Sequence, residues 1–204
     1  MANVSRVNGF SPVQHLNGSP YNGQYRTYSV PASDGTALAV GDAVKLAADG
    51  TGGAGSVAGA LGGGNGLKNV IKAAAGDAIV GIVVGFDIVP DSLNTPQYRT
   101  ASTLRQVRVA DATDLVFLVQ VSNGTVTNSI VGENYNLAAG TISTSTGLSG
   151  ATLDLNAGTP GGATAQFKVL QFDQAPDNEI GTSAKVLVKI NNHQYNGGTG
   201  TAGV

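Results

Sequence analysis

Apolar residues in this chain come in short runs of Val, Ile, Leu and Thr, each broken within a few residues by Gly, Asn or Asp. Runs of this kind, rich in β-branched side chains and closed by turn residues, form strands, and almost no apolar spacing along the chain favours a helix. The expected fold is all-β: a jelly-roll or barrel-like β-sandwich with an extended N-terminal arm. Strands are expected over residues 25–31, 36–47, 78–89, 103–109, 115–121, 163–172 and 184–190. The 115–121 run is apolar on both faces, which predicts a central strand in the core beside 78–89. In 103–109, Arg105, Val107 and Val109 share one face, and Leu104, Gln106 and Arg108 the other. In 184–190, Val186, Val188 and Ile190 share a face opposite Lys185, Leu187 and Lys189. Ser122-Asn123-Gly124-Thr125 is the strongest hairpin signal, because Asn-Gly accepts positive φ at both central positions. A return strand is expected over 126–131.

The 204 residues suffice for a core without covalent staples. Three parts are expected: an extended arm over 1–24, a β core over 25–192 and a flexible Gly/Thr tail over 193–204. A Gly/Ala loop is expected over 49–66, and loops with short strands over 141–162. One internal echo stands out. Val40-Gly41-Asp42-Ala43-Val44 and Ala75-Gly76-Asp77-Ala78-Ile79 both read as a tight Gly-Asp turn feeding an apolar strand.

Residues that do chemistry are scarce. The chain has two His, no Cys, no Trp and 12% charged residues, where an ordinary domain carries about 25%. No enzyme activity and no cofactor are expected. The absence of Cys excludes disulfides and thiolate catalysis. His15 and His193 have no partner at ligand spacing, so no metal site is expected. Gly62-Gly63-Gly64-Asn65-Gly66-Leu67-Lys68 lacks the Gly-Lys-Ser/Thr ending of a phosphate loop. The acidic stretch 173–181 offers oxygen ligands for calcium without EF-hand spacing, and an ordinary turn is favoured. A net charge of −2 gives no field to draw in nucleic acid. Arg99, Arg105 and Arg108 form the one basic cluster, read as a solvated strand face. The longest apolar stretch, 78–89, is too short to cross a membrane as a helix. No leader is expected from the first ten residues, which hold one Arg and no apolar run. So few charges also suggest that much of the surface lies against other protein. Tyr21, Tyr25 and Tyr28 cluster where the arm meets the first strand. They serve either a partner or the edge of their own barrel.

The opening, Met-Ala-Asn-Val-Ser-Arg-Val-Asn-Gly-Phe-Ser-Pro-Val-Gln-His-Leu-Asn-Gly-Ser-Pro-Tyr-Asn-Gly, the Gly-Asp strand pairs, and the ending from Asp177-Asn178-Glu179-Ile180-Gly181 through Ile190-Asn191-Asn192-His193-Gln194 together resemble structural head proteins of tailed bacteriophages. More narrowly, they are similar to the small decoration, or cement, proteins of icosahedral heads. The resemblance implies an all-β protein made in the host cytoplasm and bound to the outer surface of the virion. It implies a homotrimer that locks neighbouring major capsid proteins against packaged DNA, with no nucleic-acid or membrane partner. The expected capsid or subunit contacts are Phe10, His15, Tyr21, Tyr25 and Tyr28. The alternatives are a phage tail or fibre module, a glycan-binding β module, and a β-sandwich hydrolase dependent on His15 or His193.

Overall fold

The computed structural model describes residues 3–47, 67–89, 93–156, 161–197 and 200. It is all-β. The strands are β1 (Ser11–His15), β2 (Arg26–Val30), β3 (Ala43–Leu46), β4 (Val70–Lys72), β5 (Gly81–Phe86), β6 (Arg105–Ala110), β7 (Leu115–Ser122), β8 (Asn134–Ala138), β9 (Thr152–Asp154), β10 (Phe167–Phe172) and β11 (Lys185–Ile190). The helical elements among the described residues are two single 3-10 turns, Asn128–Ile130 and Gln194–Asn196. Neither could cross a membrane.

Five strands close a small mixed barrel in the order β7-β11-β10-β8-β9, and β9 returns to β7 in parallel. Strand β1 adds to the first half of β7, pairing Ser11 with Leu118 and His15 with Leu115. A second sheet runs β2-β6-β5-β3-β4. Its two ends meet through a parallel bridge between Ser29 and Asn69, where the Ser29 N–H donates to the Lys68 carbonyl at 3.0 Å.

Each curled sheet has its own core. The first is filled from β7 by Leu115, Phe117, Val119 and Val121, and from β11 by Val186, Val188 and Ile190. The second holds Tyr28, Val30, Val44, Val83, Val107 and Val109. Strand β5 joins them, with Ile82 in the first core and Val83 in the second. Both residues are fully buried, which is why this stretch reads as a continuous apolar run.

The Gly-Asp echo is a true structural repeat. In each copy the Asp N–H donates to the carbonyl three residues back, Ala39 or Ala74, at 3.2 Å. The intervening glycine takes φ 90° at Gly41 and 86° at Gly76. That value suits the third position of a type II turn, which disfavours any residue with a Cβ. Each carboxylate then accepts the N–H of the turn's first residue, at 2.8 Å from Ala39 and 2.7 Å from Ala74. The lysines are exchanged across the β3–β4 pair: Lys72 of β4 binds Asp42 at 2.9 Å, and Lys45 of β3 binds Asp77 at 2.8 Å.

Several expectations need correction. The described part of the N-terminal arm is packed against the core. Phe10 is 1% exposed and stacks on Phe167 at 4.4 Å between ring centroids, and β1 is hydrogen-bonded into the first sheet. Strand β1 carries one large aliphatic residue, Val13, so its pairing comes from the open edge of β7 and not from its own pattern. The hairpin after β7 has the expected turn backbone, φ 51° at Asn123 and 73° at Gly124, but no return strand follows. The chain instead enters the 3-10 turn at Asn128–Ile130, and β9 takes the partner position beside the end of β7. Nor does the C-terminal tail begin at residue 193. His193 is 2% exposed and bridges to Ile79. The expected 49–66 loop and the glycines of 62–66 lie outside the described residues.

Candidate interaction surface

Of the five expected contact residues, the structure takes two into the interior. Phe10 fills the first core. Tyr28 is 3% exposed, and its hydroxyl donates to Asp111 Oδ2 at 2.6 Å and lies 2.8 Å from the Tyr195 hydroxyl. Burial, with these two partners, raises the Tyr28 pKa far above the ordinary phenol value. Both side chains are apolar enough to be claimed by the nearest core, so neither is available to a partner.

His15 and Tyr21 brace the turn after β1. His15 Nδ1 lies 3.0 Å from Asp114 Oδ2, and the Tyr21 hydroxyl donates to the Gln24 carbonyl at 2.9 Å. Burial raises the Tyr21 pKa. Tyr25 alone of the five stands out, 46% exposed, with the Arg108 guanidinium 5.0 Å from its ring centre. Arg108 is fixed in turn by Asp87 at 2.6 Å.

A second arginine–tyrosine pair starts from the next residue. Arg26, with a side chain 67% exposed, sits 5.6 Å over the ring of Tyr195, itself 45% exposed, and contacts Asp111 at 3.3 Å. Strand alternation sends Tyr25 and Arg26 to opposite faces of the chain, so the two pairs flank the start of β2. Exposed Tyr and Arg held by neighbours are the composition of a protein interface. The sequence reading missed Tyr195 because it lies in a Gly/Thr-rich stretch. The available signal was the amide run just before it. Asn191 Nδ2 donates to the Ala163 and Ala165 carbonyls, and Gln194 Oε1 accepts from the Leu46 N–H at 2.7 Å.

The first described residues lie on the barrel as a strap. Gln120 of β7 grips it twice: its Oε1 accepts from the Arg6 N–H at 2.8 Å, and its Nε2 donates to the Val4 carbonyl at 2.8 Å. Asn3 is tied to the 179–182 turn by three hydrogen bonds. Val4 and Val7 are 62% and 48% exposed. Beside them a cavity of about 360 Å³ is lined by Val7, Leu118, Ala151 and Lys185.

The acidic 173–181 stretch is organised by Asn178, which bonds the Asp173 carbonyl and both the carbonyl and the N–H of Lys185. The Asp177 carboxylate is held by Lys185 Nζ at 3.0 Å. No group of three metal-binding side chains occurs among the described residues.

The basic cluster is not a solvated face. Arg99 is fully buried and Arg105 is 7% exposed. Arg99 places its donors on Thr103, Thr36, Pro31 and Asp34 oxygens, and so ties the 31–36 loop to the 99–103 turn. Arg105 shares a face of β6 with Val107 and Val109; that face is the buried one, and the guanidinium goes in with them.

His193 is a buried group that acid affects. Its Nδ1 accepts from the Tyr195 N–H at 3.1 Å, while its Nε2 is buried without a hydrogen-bond partner. Burial lowers the imidazole pKa below 6.5, and nearby Asp111 offsets part of that shift. In the unfolded chain the group titrates at its ordinary value, so the unfolded state binds the proton first. The contribution to stability is complete above pH 6.5 and is lost as pH falls from there through the lower folded value. Chemical denaturation at a series of pH values is expected to show this loss, and H193Q to flatten it. An unchanged slope in H193Q would assign the loss to other groups.

Set against protein-family models, curated proteins and solved structures, the chain matches none.

Proposed function

We propose that this chain is a non-catalytic structural protein of a phage virion, binding the outside of the head as a trimer and joining neighbouring major capsid proteins. The observation that carries this reading is the strap. Its apolar side chains, Val4 and Val7, face solvent, although the backbone beneath them is held by polar contacts from Gln120 and Asn3. A segment fixed in place with its valines outward is set up to be covered by another protein. It also forms part of the opening that resembles phage head proteins. The exposed Tyr25 and Arg26–Tyr195 groups add further contacts. Shell symmetry would repeat each small contact many times, so modest interfaces suffice.

The test is co-sedimentation of the purified protein with phage heads stripped of accessory proteins. Saturable binding is expected, at a stoichiometry matching a set of symmetry positions. Deleting residues 1–7 spares Phe10 and β1. It is expected to leave the melting transition in place and to weaken head binding at least about tenfold, the equivalent of about 1.4 kcal/mol. A folded full-length protein that fails to bind heads overturns the proposal. A second reading, a glycan-binding module, draws on the exposed Tyr25 and Tyr195 rings, and capture on bacterial surface glycan would select it.

A further inference from the structure

Arg99 and Arg105 are both buried and sit six positions apart in the chain, yet they are treated differently. Arg99 spends its Nε, Nη1 and Nη2 on five oxygens, one of them a carboxylate. That matches the five donors of a guanidinium. Arg105 spends only Nη1, on the Pro96 and Tyr98 carbonyls, each at 2.7 Å. Its Nε is buried without a partner, and Nη2 makes no hydrogen bond to the described residues. The nearby carboxylate, Asp87, is taken by Arg108 at 2.6 Å. Arg105 therefore holds a nearly buried positive charge with no anion in contact among the described residues, supported on one face by the Phe86 ring 4.9 Å away. Buried charges are normally paired, because desolvating an unpaired one is costly.

This guanidinium lines a cavity of about 320 Å³ together with Phe86, Ile88, Leu93, Pro96 and Gln97. Ile88 and Leu93 are 76% and 82% exposed, so the rim is apolar and open. Volume and lining fall within the range of small-ligand sites. Nε is shut off from the cavity, which leaves Nη2 as the donor through which a carboxylate oxygen would pair the charge.

We propose that this cavity binds a carboxylate carried on an apolar group, with Arg105 Nη2 donating to the carboxylate and Phe86, Ile88, Leu93 and Pro96 enclosing the apolar part. A small organic acid or the C-terminal residue of a peptide would supply that chemistry. The proposal does not depend on the virion reading and stands if head binding fails.

The test uses the full chain, 3-phenylpropionate and its amide, followed by amide and guanidinium NMR signals. The acid is expected to move the Arg105 guanidinium signals and the Phe86 and Gln97 amides, with the amide binding at least about tenfold more weakly, as loss of a charge-assisted hydrogen bond requires. A peptide ending in a free C-terminal Phe, compared with the same peptide amidated, identifies the source: tighter binding than the free acid assigns a chain terminus, and weaker binding a small acid. R105Q is expected to abolish the preference for the acid. L93S, on the exposed rim, is expected to weaken the acid while leaving the preference for acid over amide intact. Equal binding of acid and amide by the unaltered protein overturns the proposal, as does no shift up to about 10 mM acid, a concentration that would detect even millimolar affinity.

Discussion

Replacing Asp42 with Ala is expected to destabilise the protein by about 3–5 kcal/mol, the cost of breaking a buried ion pair on one side. The Asp42 side chain is fully buried. Its Oδ1 accepts from Ser149 Oγ at 2.6 Å and Lys72 Nζ at 2.9 Å, and its Oδ2 accepts from the Ala39 N–H. Truncation would leave a lysine only 15% exposed, a hydroxyl and a backbone N–H without their acceptor. The repeat supplies its own control. Asp77 makes the same turn and the same lysine contact, but its side chain is 27% exposed and Lys45 is 30% exposed. Water can take over there, and D77A is expected to cost about 1 kcal/mol. Burial raises the Asp77 pKa, but Lys45 and the Ala74 N–H outweigh it, and the net value lies below 3.8. Its contribution is therefore present above that ordinary value and disappears as pH falls through the lower folded one. Urea unfolding of both variants at neutral pH decides the matter. Equal losses would mean that burial of the first copy adds nothing.

The second large effect is expected at Phe117. Its side chain is fully buried inside the closed barrel, on a strand paired on both edges, with Pro12 of β1 and Val188 of β11 opposite. Close packing from every side leaves little room for collapse, so F117A is expected to lose about 3–5 kcal/mol. Leu118 is the next residue and points out of the barrel, only partly buried. L118A is expected to cost about 1 kcal/mol or less. The two unfolding midpoints, measured side by side, test the facing of β7. A loss under about 1 kcal/mol at Phe117 would show that the facing is wrong.

Strand alternation was legible in the chain because a β pleat has a period of two. It grouped Val107 and Val109 on one face of β6, grouped Val186, Val188 and Ile190 on one face of β11, and marked 78–89 as a core strand. The Gly-Asp turns were legible because they are local: glycine φ and a carboxylate three residues from its donor need no distant partner. The sequence did not reveal which edges meet. Strand β1 has a neutral pattern and exists because β7 offers an unpaired edge. The parallel return of β9 to β7 displaced the hairpin that Asn123-Gly124 favours locally. The contact residues divided for the same reason. Phe10, Tyr25 and Tyr28 stood together among the expected contacts, and only the packing of two adjoining cores decided that two would be enclosed and one left in solvent. Arg105 follows the alternation of its strand, but that its charge would lie in a cavity with donors unspent depended on Asp87 choosing Arg108. That choice lies between side chains from different strands, where spacing along the chain carries no information.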